Sequence, residues 1–340
     1  MTKQAVLLAN LGSPDQPTPH SVRQYLNQFL MDPYVIQLPW LLRRLIVSLF
    51  VLPRRPKASA EAYQSVWLTE GSPLVVLSQR LRNALQDKIT IPVEMAMRYG
   101  NPNIEHQLLK LSNDPDISEI IFIPLYPHYA ESTVTTSIEQ ARSVIKDHQL
   151  NVKLTVIEPF YQQPDYISAL INSTSDYLTK PYDHIIFSYH GLPESHITQS
   201  DPTGSHCLQQ ASCCQTASDA HKTCYRHQVF RTTQCFVEQT GLADDSYSIS
   251  FQSRLGRAKW LAPNTEDRIR ELAAEGKKNI LVICPAFVTD CLETLEEIAI
   301  RGQEVFQQAG GEKLTLIPCL NDSAEWVDVL ASWINKTANN

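Results

Sequence analysis

Apolar residues in this chain gather into eight short continuous runs instead of alternating with polar ones. Four lie in the first half, at Ala5–Asn10, Val93–Met97, Ile120–Pro124 and Lys153–Ile157, and four in the second, at Ile185–Tyr189, Tyr247–Phe251, Ile280–Cys284 and Leu314–Ile317. Such runs read as strands covered on both faces, as in a parallel sheet. Between most of them the apolar spacing turns helical, as in Leu74–Leu85, Ser137–Ile145, Glu266–Ala274 and Thr294–Gln308. Alternating β and α elements predict an α/β protein with two similar Rossmann-like domains. Each is expected to be a four-stranded parallel sheet flanked by helices.

The two halves echo each other in order. Leu8-Ala9-Asn10-Leu11-Gly12-Ser13-Pro14 resembles Phe187-Ser188-Tyr189-His190-Gly191-Leu192-Pro193. Met97-Arg98-Tyr99-Gly100 resembles Ser253-Arg254-Leu255-Gly256, and Leu154–Ile157 resembles Leu314–Ile317. Three matches in one order predict a divergent repeat in which Leu11 and His190 hold equivalent places, one per domain. They are expected to face a shared cleft, a common place for a ligand.

His190 closes an apolar run and is followed by Gly191 and, two residues on, Pro193. That places a titratable ring at the carboxyl tip of a strand, where open α/β sheets bind ligands. A second strand, Asn279–Cys284, leads to Asp290-Cys291-Leu292-Glu293-Thr294-Leu295-Glu296-Glu297. Asp290 is the expected helix N-cap, with Glu293 as its capping-box partner. Glu293 and Glu297 are four apart and are expected to share a helix face. The ordinary alternative is a capped, solvated helix start and a hydrogen-bonded histidine.

Size and charge narrow the classes. A length of 340 residues suggests two domains, and a net charge of −7 gives no nucleic-acid surface. The N-terminus runs into a strand too short and too soon broken to be a signal peptide, so a reducing cytoplasm is expected. The segment Val35–Lys57 is unusual. Leu45–Leu52 is apolar, flanked by Trp40 and by the pairs Arg43-Arg44 and Arg54-Arg55. It is too short to span a bilayer. It suits a membrane interface or the lip of an apolar pocket, with a core helix as the ordinary reading.

Four of the eight cysteines, Cys207, Cys213, Cys214 and Cys224, fall in a polar stretch, Glu194–Cys224. A long segment with little to bury needs something to offset its ordering entropy, and a metal centre would do so. Adjacent Cys213-Cys214 is awkward for a zinc ribbon, whereas an iron–sulfur cluster accepts more varied spacing. His206, His221 and His227 are alternative ligands. Cys235, Cys284, Cys291 and Cys319 read as small buried hydrophobes.

Taken together, several segments resemble the ferrochelatase family. They are Leu8–Pro14, Met97–Gly100, Pro124-Leu125-Tyr126-Pro127-His128-Tyr129, Phe187–Pro193, Phe251–Gly256 with Trp260-Leu261-Ala262-Pro263, and Cys284–Glu296. The resemblance covers nearly the whole chain. It implies a two-domain chelatase-like fold: residues 1–158 plus a C-terminal helix 320–336 with an apolar lip at 35–57, and residues 159–319 with an insertion at 194–224. It implies insertion of Fe2+ into protoporphyrin IX to make protoheme, the last step of heme synthesis. His190 and Glu293 would be catalytic and would meet the substrate iron, with Glu297 as a further candidate. Leu11, Arg54, Arg55, Ser72, Arg98, Tyr99 and Trp260 would contact the porphyrin. Cys207, Cys213, Cys214 and Cys224 would hold a [2Fe–2S] cluster, as in a bacterial group with such an insertion. Relatives often carry Tyr or Met where this chain has Leu11, and animal enzymes carry His where it has Cys291. The implied partners are porphyrin and heme, with a cytoplasmic location and peripheral attachment to the inner membrane face. The competing readings are a chelatase for coproporphyrin III or another tetrapyrrole and metal, a non-catalytic iron–sulfur redox or sensor protein, and a periplasmic-type metal binder.

Overall fold

The computed structural model describes residues 3–254, 256 and 258–339; Leu255, which belongs to the repeat and to the family motif, lies outside the described residues. All eight apolar runs form strands. β1 (Lys3–Ser13), β2 (Val93–Gly100), β3 (Ile117–Pro124) and β4 (Lys153–Val156) pair in parallel in the order β2-β1-β3-β4. β5 (His184–His190), β6 (Tyr247–Gln252), β7 (Asn279–Ile283) and β8 (Lys313–Leu316) pair in parallel in the order β6-β5-β7-β8. In each sheet the first strand in sequence lies inside, and β1 and β5 are buried along most of their length. Ala5, Leu7 and Ala9 of β1 are buried with Ile104, Leu108 and Ala141. Ile186 of β5 is buried with Ile269, Val282, Ile298 and Phe306.

The chain divides into two compact units. One comprises residues 1–126, 131–159 and 321–340, the other residues 127–130 and 160–320. The helix after β4, Pro164–Leu178, belongs to the second unit, and the helix after β8, Ala324–Ala338, belongs to the first. The last helix is tied into its unit by Gln4, whose amide donates to Ala338 O at 3.3 Å, and by the Lys88–Asp328 ion pair.

Sheet register tests the repeat residue by residue. Asn10 pairs with Met97 as Tyr189 pairs with Phe251, and Ile120 with Leu154 as Ile280 with Leu314. Leu11 and His190 are therefore equivalent, as are Leu154 and Leu314. The middle match is out of register. Met97 corresponds to Phe251, so Arg98 corresponds to Gln252 and not to Arg254. Two further parallels fix this: Met97 N donates to Pro102 O as Phe251 N does to Pro263 O, and Asn103 and Asn264 each cap the helix that follows. The intervening loop is longer in the second unit, and a chance Arg-x-Gly pattern in it produced the shift.

The strand tips of the first unit approach closely. Gly12 has φ +110°, and a Cβ there would lie 1.7 Å from Tyr99 O. Only glycine lets β1 and β2 run side by side this far.

Candidate functional site

In the second unit the tips of β5, β6 and β7 are joined through one side chain. Gln252, the last residue of β6, is 1% exposed. Its Oε1 accepts from Ser188 Oγ at 2.7 Å, its Nε2 donates to Glu293 O at 2.7 Å, and its backbone oxygen accepts from Gly191 N at 2.7 Å. Gln252 thus holds both the turn beside His190 and the turn that carries Glu293. Sequence reasoning quoted this residue within a motif and gave it no role. A buried amide at a strand end, which must find partners, was the available signal.

His190 is half-buried. Its Nδ1 lies 2.7 Å from Gly191 O and its ring centroid 6.3 Å from that of Phe287. A carbonyl oxygen only accepts, so Nδ1 carries the hydrogen and Nε2 of the neutral ring keeps its lone pair. The turn cannot drift, because a Cβ on Gly191 would meet Gln252 O at 2.8 Å and Trp260 Cε3 at 3.3 Å. Trp260 is half-buried and reaches this turn through a bridge with Pro193 and the Leu261 N to Leu192 O hydrogen bond.

The acidic segment differs from its sequence expectation in two ways. The N-cap is Cys291, not Asp290, and its box partner is Thr294, not Glu293. The Asp290 carboxylate instead accepts from Thr294 Oγ1 at 2.8 Å and Cys319 N at 3.3 Å. The Glu293 carboxylate takes no part in that box and stands within hydrogen-bonding reach of the Cys291 thiol. Glu293 sits on one α-turn (Leu292–Thr294), whereas Glu297 lies in a π-helical stretch, Leu295–Gly302, so the two do not share a regular α-helical face. Such wide turns recur at functional sites. Glu297 is engaged: it accepts from Ser253 N at 2.9 Å and Ser253 Oγ at 2.5 Å, and Arg301 stands 3.6 Å away. It locks Ser253 in a left-handed conformation, φ +62°. Glu296, which the sequence did not single out, has its pKa raised by burial, opposed by Arg301 and reinforced by the Glu297 and Glu293 carboxylates.

In the first unit, Arg98 and Tyr99 converge on Asp32, a residue absent from the sequence reading. The Asp32 carboxylate accepts from Arg98 Nη2 at 2.5 Å, Tyr99 Oη at 2.8 Å, Thr136 Oγ1 at 2.6 Å and Tyr34 N at 2.8 Å. Tyr99 is 0% exposed. Its side chain is turned into the interior, where the hydroxyl is held by the Asp32 carboxylate. Ser72 is also buried. Leu11 is half-buried, and Arg54 and Arg55 are exposed at the start of the Arg55–Val66 helix. The lip is a short helix, Trp40–Ile46, continued by a π-turn, Val47–Val51. Leu38, Trp40, Leu41, Leu42, Leu45, Leu49 and Phe50 are exposed, Leu41 at 75%, so the core-helix reading fails. Of the arginines beside it, Arg43 turns inward to Ile36 O and Leu38 O. Among the described residues no helix is long and apolar enough to cross a membrane.

The insertion is organised around its cysteines. Cys207, Cys213, Cys214 and Cys224 are all buried and unpaired by disulfides. Cys213 and Cys214 Sγ are 4.0 Å apart, and the Cys224 thiol is within hydrogen-bonding reach of Cys207 and Cys214. Arg226 Nη1 stands 3.2 Å from Cys214 Sγ and 3.7 Å from Cys213 Sγ. The three histidines clamp the turn: His206 and His221 bond to Cys213 O at 2.7 and 3.0 Å, and His227 to Cys214 O at 2.8 Å. Asp201 gathers the other arm, accepting from Cys207 N, Thr203 Oγ1, His206 N and Thr203 N at 2.7–2.9 Å. Among the described residues no three His, Cys, Asp or Glu side chains converge as they would on a single metal ion. The remaining cysteines, Cys235, Cys284, Cys291 and Cys319, are buried or half-buried. His128 is a core histidine, Nε2 on Thr232 Oγ1 at 2.8 Å and its pKa pushed down to about 3 by burial.

With this geometry in place, the comparisons are informative. Residues 3–338 match the family model described as Ferrochelatase. The ferrochelatase of Pseudomonas fluorescens strain Pf0-1 is 56% identical over 334 residues, covering 98% of this chain and 97% of that protein. That of Stutzerimonas stutzeri strain A1501 is 55% identical over 332 residues, covering 97% of each. Among solved structures, SirB from Bacillus subtilis with Fe3+ matches with a TM-score of 0.56 at 14% identity, covering 99% of this chain and 96% of that one. That likeness concerns the fold.

Asp201 generates a test of the insertion. Burial opposes its ionisation, but the hydrogen bonds from Cys207, Thr203 and His206 outweigh it and hold the carboxyl below the ordinary range. A depressed native pKa stabilises above the unfolded-state value of about 4, and the contribution is lost as pH falls through the native value. Asp201→Asn is expected to weaken the insertion locally by roughly 1–3 kcal/mol and to remove that acid dependence. Hydrogen exchange at the His206 and Cys207 amides, followed from pH 7 downward, measures both.

Proposed function

The chain belongs to the ferrochelatase family, and from that membership we propose how its own residues carry the reaction. The enzyme is a lyase that inserts ferrous iron into protoporphyrin IX to give protoheme. Two pyrrole N–H protons leave as one dication enters, so the reaction needs a base near the ring nitrogens. His190 is that base in our reading. The observation that carries it is the Nδ1 hydrogen bond to Gly191 O, which leaves Nε2 as the proton-accepting nitrogen. Glu293, outside the capping box and beside the Cys291 thiol, receives the substrate iron or the second proton; nitrogen and oxygen donors suit a borderline dication. Glu297 is committed to Ser253 and acts mainly as a brace for the β6 loop, while Glu296, with its raised pKa, is suited to passing protons outward.

In the second unit, Trp260 offers apolar surface suited to a macrocycle; in the first, Leu11 and the lip do the same, and Arg54 and Arg55 carry charge suited to propionates. Arg98 acts through Asp32, which it neutralises. The exposed lip beside Arg44, Arg54 and Arg55 also suits the anionic inner face of the membrane, in keeping with a cytoplasmic enzyme attached peripherally. A non-catalytic iron–sulfur protein would leave the base, the acidic turn and the lip without purpose, and this reading is not favoured.

Cys207, Cys213, Cys214 and Cys224 are read as ligands of a [2Fe–2S] cluster. Four buried, mutually adjacent thiols beside an arginine fit an anionic centre, and thiolates divided between two irons need not converge on one point. When bound, the cluster supplies a one-electron redox centre; the protein holds it with the four thiolates, donates to two of them from Arg226, and fixes the Cys213–Cys214 turn with three imidazoles.

Three outcomes are expected. His190→Ala and Glu293→Gln should each lower kcat at least ~100-fold with porphyrin affinity little changed; anaerobic assay with protoporphyrin and ferrous iron reads both, and near wild-type turnover by a folded variant refutes that residue's role. Protein made with ample iron should absorb in the visible and contain about two irons and two sulfides per chain. Ser at any of the four cysteines should bleach it and Ser at Cys235 should not, while a colourless chain containing one zinc would refute the cluster. Finally, Leu41→Ser with Leu45→Ser should reduce sedimentation with anionic vesicles or raise the KM for porphyrin; unchanged values for both would remove the lip from either role.

A further inference from the structure

The insertion leaves the core just after His190 and returns at Cys224, and a hydrogen bond joins its two ends. Cys224 is the N-cap of the Tyr225–Thr240 helix, its Sγ accepting from His227 N at 3.5 Å. The next residue, Tyr225, is 5% exposed and donates its hydroxyl to His190 O at 2.8 Å. The Tyr225 ring is held in turn by His128, which packs edge-on against Tyr225 and Tyr189 at 5.8 and 5.4 Å and bonds to Thr232 of the same helix. The 190–191 peptide is therefore gripped from two sides. Gln252 holds Gly191 N from the sheet, and Tyr225 holds His190 O from a helix that begins at one of the four cysteines.

The sheet-side grip is anchored by a Gln252 side chain that is buried and bonded to Ser188 and to Glu293 O. The helix-side grip depends on how Cys224 sits among Cys207 and Cys214, its thiol neighbours. If that arrangement shifts, the Tyr225 hydroxyl shifts with it, and a buried carbonyl follows its donor or goes unpaired. The His190 imidazole, bonded to the carbonyl of the adjoining residue, is re-aimed in consequence. We propose that Tyr225 is a positioning residue that transmits the state of the four-cysteine insertion to His190. The identity of what fills the insertion rests on the cluster reading; the coupling rests on the Cys224–Tyr225–His190 connection.

The test compares four full-length proteins: wild type, Cys214→Ser, Tyr225→Phe and the double variant. Tyr225→Phe keeps the ring against His128 and removes only the hydroxyl. Metal insertion is followed anaerobically, iron and sulfide are analysed, and the electron paramagnetic resonance spectrum of the chemically reduced protein is recorded with and without protoporphyrin. Cys214→Ser is expected to lower kcat about tenfold with porphyrin KM unchanged, but by less than about twofold when the Tyr225 hydroxyl is already gone. By reciprocity, porphyrin should alter the resonance line shape in wild type and leave it unaltered in Tyr225→Phe. Should Cys214→Ser unfold the insertion, chelator-stripped wild type and Tyr225→Phe replace it, with the same contrast expected. Equal fold losses in both backgrounds, or no loss in either, would overturn the coupling. Wild type lacking iron and sulfide would refute the cluster alone, and the activity cycle would still decide the coupling.

Discussion

One buried amide sets the geometry on which the second unit's chemistry depends. Both amide atoms and the backbone oxygen of Gln252 are engaged, and each engagement ends on a different element: Ser188 in β5, the turn after His190, and the turn at Glu293. An unpaired amide in this interior would be costly, so the three tips must arrive together or not at all. This makes the relation between His190 and the Glu293 turn a property of the sheet and not of the loops. Pre-organisation of this kind is how a site holds reacting groups in register without reordering them at each turnover.

The first unit meets the same demand at the equivalent position with charge. Arg98 stands where Gln252 stands, and it reaches a buried carboxylate, Asp32, that three further groups also satisfy. A buried ion pair adds little net stability, but removing one member leaves the other stranded. The two copies have thus kept the sheet and diverged at its tips. One tip holds a neutral amide beneath a titratable ring. The other holds a locked salt bridge beneath Leu11, a side chain with no chemistry to offer.

Much of the fold was legible because doubly covered parallel strands appear as unbroken apolar runs, and even the four-residue β4 and β8 were visible. His190 was legible because a histidine, a glycine and a proline end such a run. What escaped notice depends on geometry that residue type and local spacing do not display. Little in the local sequence marks Asp32, whose side-chain donors lie 66, 67 and 104 residues away. The Cys291–Thr294 cap was hidden because Asp290 is a better N-cap by type, yet its carboxylate is drawn to Cys319 N instead. The π-helical stretch has no residue signature, so an i, i+4 rule was applied where α geometry does not hold. The histidines of the insertion were taken as spare ligands because ring nitrogens bonding to carbonyls look no different in sequence from ring nitrogens awaiting a metal.

The terminal helix has a consequence for how this protein comes into being. Ala324–Ala338 completes the unit that begins at the N-terminus, through Gln4 and Lys88. During synthesis β1 to β4 emerge early, but the face that this helix covers stays bare until the chain beyond β8 has left the ribosome. The second unit, by contrast, holds its own helix, Pro164–Leu178, before its first strand is made. Translation therefore delivers a second unit able to close while the first still waits for this fifteen-residue helix. A premature stop shortly after β8 would spare every residue assigned here to chemistry and still leave the older half of the chain open to aggregation.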